Sequence, residues 1–187
     1  MVALVTAMRD GSVPAEPAVV ISNVPGAAGL VTAAGWGIAT AVVDHTAIKP
    51  RESHERAVLD ILNSRRVDIV CLAGYMRRLS PLLVGAFRGR ILNVHPALLP
   101  SFPGLDAQKA ALDYGVKVAG CTVHLVDDEV DHGPIVLQST VPVEDGDTVD
   151  TLSARILVAE HTIYPRALAL LASGKLEIEG RRVRLRP

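Results

Sequence analysis

Residues 90–104 read RILNVHPALLPSFPG, a strand-like run that passes directly into a proline-rich loop. Ile91 and Leu92 are typical of a buried strand, whereas Asn93 and His95 are costly to bury unless their polar groups have hydrogen-bond partners. Three prolines in the next nine positions prevent regular structure from continuing. The stretch therefore predicts a strand whose end delivers two polar side chains into a site, followed by a rigid loop.

The strand at residues 90–94 is the fourth of a series. Three similar runs, rich in β-branched residues, precede it at residues 18–22, 39–43 and 68–73. Segments with helical spacing lie between the runs, and Ser80 followed by Pro81 predicts the start of a short helix. This alternation favours an α/β fold, a doubly wound, mostly parallel Rossmann-like sheet flanked by helices.

The pattern changes after the proline loop. Two long strand-like runs, residues 118–126 and 135–143, are close in sequence and predict an antiparallel pair late in the chain. A long helix over about residues 149–172 follows, and the alternating residues 176–185 predict a polar hairpin. No linker is long enough to separate two domains, so residues 1–187 are expected to form a single domain.

The composition excludes several classes of protein. A formal net charge of -1 provides no electrostatic footprint for nucleic acid or an anionic membrane, and no apolar segment is long enough to span a bilayer. Cys71 and Cys121 lie in strand-like runs and are expected to be free thiols. We predict a cytoplasmic protein that acts on small molecules, and the sequence leaves monomer and homodimer both open.

Asn93 and His95 are candidates for chemistry. Because they are two residues apart on a strand, their side chains point to the same face at its carboxyl end, where open α/β sheets bind ligands. An amide N–H and a protonated imidazole suit a carbonyl oxygen that becomes negative in a transition state. The alternative is a pair that only satisfies the hydrogen bonds of the following turn.

An acidic cluster lies between the two late strands. Residues 126–134 read VDDEVDHGP, with five ionisable side chains in six positions. The spacing matches neither a calcium loop nor a zinc site, so no metal is predicted. One interpretation is a solvated turn; in the other, Asp131 approaches His95 and favours its protonated form. The remaining histidines outside this cluster are expected to have no special role: His45, His54, His124 and His161.

These motifs resemble those of the folate-dependent formyltransferases, and most closely the glycinamide ribonucleotide formyltransferases of purine synthesis. The matching segments are NVHPALLPSFPG at residues 93–104, DHGP at residues 131–134 after the TVHLV run, LAGYMR at residues 72–77 and EHTIYP at residues 160–165. The Asn-x-His pair with a downstream Asp is shared by the whole family, including methionyl-tRNA formyltransferases and 10-formyltetrahydrofolate hydrolases. The proline loop and the EHTIYP segment favour the ribonucleotide enzymes.

The resemblance implies catalytic roles for Asn93, His95 and Asp131. Asn93 and protonated His95 would hold the formyl oxygen while the substrate amine attacks. Asp131 would orient or tune His95 and help to move the proton. No metal and no nucleoside triphosphate are implied.

The resemblance also implies binding residues. The pterin of 10-formyltetrahydrofolate, the formyl donor, would be bound by two segments that comprise Tyr75, Met76, Arg77 and Leu79, and Val126, Asp127, Asp128, Glu129 and Val130. Glu160 would face the glycinamide amine, and Gly74 is also assigned to substrate binding. Arg51 would contact the ribonucleotide phosphate, the alternative being an arginine that faces only solvent.

The chain departs from the family pattern at its start. Family members of this type begin with a strand and a Gly-Ser-Asn loop that holds the substrate phosphate at a helix N-terminus. This sequence begins with Met1 within the corresponding helix, so the resemblance implies a formyltransferase domain truncated at its N-terminus.

The reaction expected from the resemblance is formyl transfer from 10-formyltetrahydrofolate to the amine of glycinamide ribonucleotide, in de novo purine (IMP) biosynthesis. Two alternatives stay open. One is hydrolysis of 10-formyltetrahydrofolate, in which water replaces the amine. The other is a folate-binding remnant without catalysis.

Overall fold

The structure, a computed structural model, describes residues 1–186. Within them, the helices are α1 (Val2–Arg9), α2 (Ala28–Gly35), α3 (Arg51–Ser64), α4 (Pro81–Ala86), α5 (Ala107–Tyr114) and α6 (Val149–Ala172). The strands are β1 (Val20–Ser22), β2 (Thr40–Val42), β3 (Val70–Leu72), β4 (Ile91–His95), β5 (Val118–Leu125), β6 (Ile135–Pro142), β7 (Leu176–Glu179) and β8 (Arg182–Leu185). None of these helices is both long and apolar enough to cross a membrane.

The strands form three sheets. β1 pairs in parallel with β2, and β3, β4, β5 and β6 form a four-stranded sheet in that order. In this sheet β3 and β4 are parallel, whereas β5 runs antiparallel to both β4 and β6. The expected α/β class with a late antiparallel pair is confirmed, and the pair joins the parallel part because β5 lies directly beside β4. β7 and β8 form the expected hairpin.

The four-stranded sheet separates two apolar cores. Alternate residues of β4 point to opposite faces, so Leu92 packs with Cys121 and the residues of α6, whereas Ile91 packs with residues of α3 and α4. Both β4 side chains are fully buried, and each such burial stabilises the fold by about 1.5–3 kcal/mol. We call the two sides the α6 face and the α4 face.

Tyr164 connects α6 to the centre of the sheet. Its hydroxyl lies 2.8 Å from the Leu72 carbonyl and 3.0 Å from the Leu92 carbonyl, so one donor serves two neighbouring strands. The α6 helix begins at a capping box formed by Thr148 and Thr151. The long helix is thereby anchored both at its start and against β3 and β4.

A buried carboxylate joins α3 to α4. Glu55 accepts hydrogen bonds from the backbone N–H and the hydroxyl of Ser80, and both residues are fully buried. Ser80 precedes Pro81 at the start of α4, as expected, but its side chain caps no helical N–H because it bonds Glu55 instead. The contact fixes the end of the segment that leads from β3 to α4.

The two cysteines, Cys71 on β3 and Cys121 on β5, are free thiols, as expected. Burial raises the pKa of each thiol to about 12. Both thiols are therefore uncharged and pack on the α6 face as small apolar side chains.

Replacing Tyr164 with Phe tests the link between α6 and the sheet. We expect Tyr164→Phe to lower the free energy of unfolding by about 1–2 kcal/mol, because two buried carbonyls lose their shared donor while the ring is kept. Urea denaturation measures the change. Tyr114→Phe is the matched control, since Tyr114 is 80% exposed, and an equal loss in both variants would contradict the assignment.

Candidate active site

The register of β4 gathers polar side chains on the α4 face. Asn93 lies opposite His124 of β5, and His95 lies opposite Thr122. On the other side of β4, Asn93 pairs with Leu72 at the end of β3. Because side chains alternate along a strand, the four polar residues share one face at the carboxyl ends of β3 and β4.

The loop between β5 and β6, residues 126–134, brings Asp131 to the same face. The loop closes where the Leu125 N–H donates to the Pro134 carbonyl at 2.9 Å. Gly133 permits this closure, because a Cβ at that position would lie 1.8 Å from the Leu125 carbonyl oxygen. Asp131 adopts a left-handed backbone conformation, with a φ of 50°, which is uncommon for a residue other than glycine.

Asp131 lies beside His95. Asp131 Oδ2 is 3.3 Å from His95 Nδ1 and accepts a hydrogen bond from the Gly104 N–H at 2.8 Å. On its other side, His95 Nε2 donates to the Phe102 carbonyl at 2.8 Å. Both ring nitrogens face acceptors, an arrangement that suits the doubly protonated imidazolium. Only 5% of the His95 side chain and 12% of the Asp131 side chain are exposed, so the pair is sheltered from water.

His124, for which the sequence indicated no role, belongs to this cluster. Its Nε2 lies 3.1 Å from Asn93 Nδ2 and 3.6 Å from Asp131 Oδ1, and its Nδ1 lies 3.0 Å from the Leu125 carbonyl. With Nδ1 protonated, Nε2 accepts one amide hydrogen of Asn93, which orients the amide and leaves its second hydrogen for a ligand. The sequence contains one indication of this role: His124 lies two residues after Thr122, so the two side chains share a face of the strand. Only the β4–β5 register shows that His124 faces Asn93.

The surroundings of Asp131 keep it ionised. Burial by itself raises the pKa of this carboxyl, but the hydrogen bond from the Gly104 N–H and the charge of His95 outweigh burial, and the pKa is lowered from its ordinary value. Asp131 is therefore a carboxylate at neutral pH. It can hold an imidazolium in place and can share its proton.

Thr122 fastens the proline-rich loop over the cluster. Its hydroxyl donates to the Ala97 carbonyl at 2.7 Å and accepts from the Leu99 N–H at 3.0 Å. The side chain is fully buried, so these bonds are protected from water. The anchored loop presents the Phe102 carbonyl to the imidazole and the Gly104 N–H to the carboxylate.

The two segments assigned to folate from the sequence lie against one apolar core. Leu79 and Val126 both pack against the core on the α4 face. Met76 is 74% exposed and Val130 is 46% exposed, so apolar surface remains open there. Arg77 Nε is buried without a hydrogen-bond partner in the described residues, an uncommon state for a buried donor.

Tyr75 and Arg51 lie near each other. Burial raises the pKa of the half-buried Tyr75, and Arg77, Glu55 and Arg51 are close enough for their charges to affect it. Arg51 is the first residue of α3 and is exposed. The structure thus places it beside the segment that follows β3.

The acidic residues of the loop have partners of their own. Asp127 Oδ2 lies 2.8 Å from His132 Nδ1, and Asp127 Oδ1 accepts from the Glu129 N–H at 3.0 Å. Asp128 pairs with Arg88 at 3.5 Å, and both side chains are exposed. The loop is therefore crosslinked by its own side chains before any ligand is considered.

Gly74 and Glu160 belong to different elements. Gly74 follows the end of β3 with a φ of 66°, a conformation that favours glycine. Glu160 on α6 is near Cys121, whose thiol is on the α6 face, and so it lies on the side opposite Asn93 and His95. The structure brings together Asn93, His95 and Asp131, whereas Glu160 belongs to α6, the helix that packs on the other face of the sheet.

Comparison with known proteins places this chain in a family. Residues 1–168 match the family model described as formyl transferase. The chain belongs to the formyl transferase family. This formyl transferase is 40% identical over 176 residues to the phosphoribosylglycinamide formyltransferase of Escherichia coli (strain K12). The aligned region covers 94% of this chain and 83% of that protein. The crystal structure of glycinamide ribonucleotide transformylase 1 from Symbiobacterium toebii superposes with a TM-score of 0.96 at 51% identity, covering 98% of this chain and 86% of that chain.

Some relatives of this formyl transferase are much longer. The trifunctional purine biosynthetic protein adenosine-3 of Bos taurus is 48% identical over 176 residues. The match covers 94% of this chain but only 17% of the length of that relative. The similarity therefore concerns one part of the larger protein.

In residues 1–186 of the formyl transferase, no group of three or more His, Cys, Asp or Glu side chains is placed to hold a metal ion. The carboxylates of the acidic loop have protein partners instead. Asp127 contacts His132, Asp128 contacts Arg88, and Asp131 contacts His95.

Glu160 provides a test of burial on the α6 face of the formyl transferase. Burial raises the pKa of this carboxyl to about 6. In the unfolded chain the carboxyl ionises at its ordinary, lower pKa, so between that value and about pH 6 the folded protein binds more protons than the unfolded one. Stability attributable to this group is therefore lost as the pH rises through this window.

The variant Glu160→Gln cannot ionise at this position. At pH values above this window we expect its free energy of unfolding to be higher than that of the unsubstituted protein by about 1 kcal/mol, after allowance for partial solvent screening. The difference should disappear below about pH 4, where the carboxyl is neutral in both states. Urea denaturation as a function of pH measures it, with Glu16→Gln, an exposed carboxylate, as control. A difference that is independent of pH would contradict the expectation.

Proposed function

We propose that the chain transfers a formyl group from 10-formyltetrahydrofolate to the amine of glycinamide ribonucleotide, a step of purine synthesis. The observation that carries the proposal is the convergence of Asn93, His95 and Asp131 at the carboxyl ends of β3 and β4, with the carboxylate 3.3 Å from the imidazole. Membership of the formyl transferase family and the names of the similar proteins from Escherichia coli and Symbiobacterium toebii support it.

Two hydrogen-bond donors suit the formyl oxygen. Asn93 has one amide hydrogen directed at His124 and a second that is free, and His95 as an imidazolium carries an N–H on each side. His95 Nε2 now donates to the Phe102 carbonyl, and a formyl oxygen is an acceptor of the same kind that can replace it. A donor aimed at an oxygen that gains negative charge lowers the barrier by about 2.7–4 kcal/mol.

The proposed reaction conserves protons. The substrate amine attacks the formyl carbon, a new C–N bond forms, and the bond from that carbon to the folate nitrogen breaks. The amine loses a proton and the departing nitrogen gains one. His95 and Asp131 form a pair through which a proton can be taken up and returned, because the ionised carboxylate stabilises the imidazolium when it forms.

The folate is proposed to bind between the segment after β3 and the acidic loop. The exposed apolar side chains of Met76 and Val130 supply surface for a flat ring, and the unpartnered Arg77 Nε is a donor for a ligand acceptor. Tyr75, Leu79 and the backbone of residues 126–129 complete the proposed pocket. The formyl carbon would then lie at the end of β4.

The ribonucleotide is assigned to the same strand ends. Gly74 gives the backbone close access there, since it has no side chain to obstruct a ligand. Glu160 approaches from the α6 face, and contact with the amine requires the substrate to reach around the strand ends. Arg51 lies near Tyr75 and supplies a cation for an anionic group of either substrate.

A turnover assay tests the proposal. The purified chain is mixed with a 10-formylfolate donor, with and without glycinamide ribonucleotide, and deformylation of the donor is followed. The expected result is turnover that requires the ribonucleotide. Formate release without it would indicate hydrolysis, and binding of the folate without turnover under either condition would indicate a remnant; either result overturns the proposal.

The roles of the cluster are tested by substitution. We expect Asp131→Asn and His95→Asn each to lower kcat by about 10²- to 10⁴-fold while leaving folate binding nearly unchanged, since these groups act on the proton and the formyl oxygen. Steady-state kinetics and titration calorimetry with a folate analogue separate the two effects.

Asp145→Asn is the matched control for these variants. Asp145 lies in the loop after β6, away from the cluster. Its exposed carboxylate pairs with Lys117. Its kcat should equal that of the unsubstituted protein. Loss of folate affinity in the Asp131 or His95 variants, at unchanged kcat, would mean that these side chains are pocket walls and not catalytic groups.

A further inference from the structure

The tip of the C-terminal hairpin lies against the acidic loop that carries Asp131. Arg181, between β7 and β8, has its Nη1 2.7 Å from His132 Nε2. His132 Nδ1 is in turn 2.8 Å from Asp127 Oδ2. These three side chains form a chain of contacts from the hairpin, through the residue next to Asp131, to the start of the loop. We call them the hairpin latch.

The chemistry of Arg181 fixes the state of His132. A guanidinium group is always protonated and can only donate hydrogen bonds, so a contact of 2.7 Å with Nε2 requires the lone pair of that nitrogen. The imidazole is therefore neutral, and Nδ1 carries the proton that is donated to Asp127. Protonation of Nε2 would place two cations in contact and remove the acceptor that Arg181 uses.

The latch acts on the loop at two points. Asp127, held by His132, also accepts the Glu129 N–H and so shapes the first turn of the loop. His132 itself follows Asp131, whose left-handed backbone aims its carboxylate at the imidazole of His95. A shift of His132 therefore changes the backbone that positions Asp131.

We propose that Arg181 and His132 are positioning residues for formyl transfer: the hairpin latch holds residues 126–134 so that Asp131 meets His95. For its kinetic part this inference rests on the proposed function. Neither residue touches the reacting atoms, and both act through the backbone of Asp131.

Charged groups face His132 from both sides. Asp127 lies at 2.8 Å and Glu129 at 4.0 Å, and Arg181 lies at 2.7 Å on the opposite ring nitrogen. Arg88 lines the same cleft, of about 360 Å³, but its charge is paired with Asp128. The contact with Arg181 is therefore the one that joins the hairpin to this group of charges.

Amide hydrogen exchange tests the latch without reference to catalysis. At about pH 8 we expect residues 127–133 to exchange about tenfold faster in Arg181→Ala than in the unsubstituted protein. His132→Gln, whose amide can accept from Arg181 and donate to Asp127, should stay protected.

Arg182→Ala is the matched control, because Arg182 is the next residue of the same hairpin and its side chain is exposed. It should exchange like the unsubstituted protein. Equal exchange of Arg181→Ala and the unsubstituted protein at about pH 8 would overturn the inference.

Kinetics test the consequence for Asp131. At about pH 8 Arg181→Ala should lose several-fold in kcat with little change in KM for glycinamide ribonucleotide, and Arg181→Lys, which keeps a donor, should recover part of the loss. An unchanged kcat would overturn the positioning role. If the unsubstituted protein has no ribonucleotide-dependent turnover, the proposed function fails, and the exchange experiment still decides whether the latch exists.

Discussion

The pairing of β4 with β5 is the constraint on which the site depends. Because a strand has a period of two, a shift of one residue would move Asn93 and His95 to the α6 face and bring Leu92 to the opposite side. The observed register instead places Asn93 opposite His124 and leaves Leu92 in the apolar core. Burial of the aliphatic residues therefore selects the same register that assembles the polar cluster, so stability and chemistry favour one arrangement.

Much of this arrangement could be predicted from the chain. The alternation in ILNVH was enough to place Asn93 and His95 on one face, and the strand-like runs at residues 118–126 and 135–143 indicated where the acidic loop lies. The strands were predicted too long at residues 18–22 and 68–73, since only three residues in each have ladder partners. Sequence periodicity detects the apolar run, whereas pairing depends on the neighbouring strand.

Other parts depend on contacts between distant segments, which periodicity does not report. His124 acquires its place from the β4–β5 register, and Glu160 lies across the sheet from Asn93 because α6 covers that face. The contact between Arg181 and His132 joins residues 49 positions apart and leaves no local pattern. The alternating residues 176–185 predict only a polar hairpin, while the structure places Arg181 of that hairpin against the acidic loop.

The closure of the acidic loop has a consequence for how binding energy is used. Ordering a flexible residue costs about 1–2 kcal/mol of backbone entropy, and a catalytic aspartate on a mobile tether would incur that cost each time a substrate bound. Here the Leu125–Pro134 hydrogen bond, the close approach at Gly133 and the Gly104 contact order the loop when the chain folds. Asp131 is preorganised, so the affinity gained from substrate contacts is not diminished by aligning the group that is proposed to handle the proton.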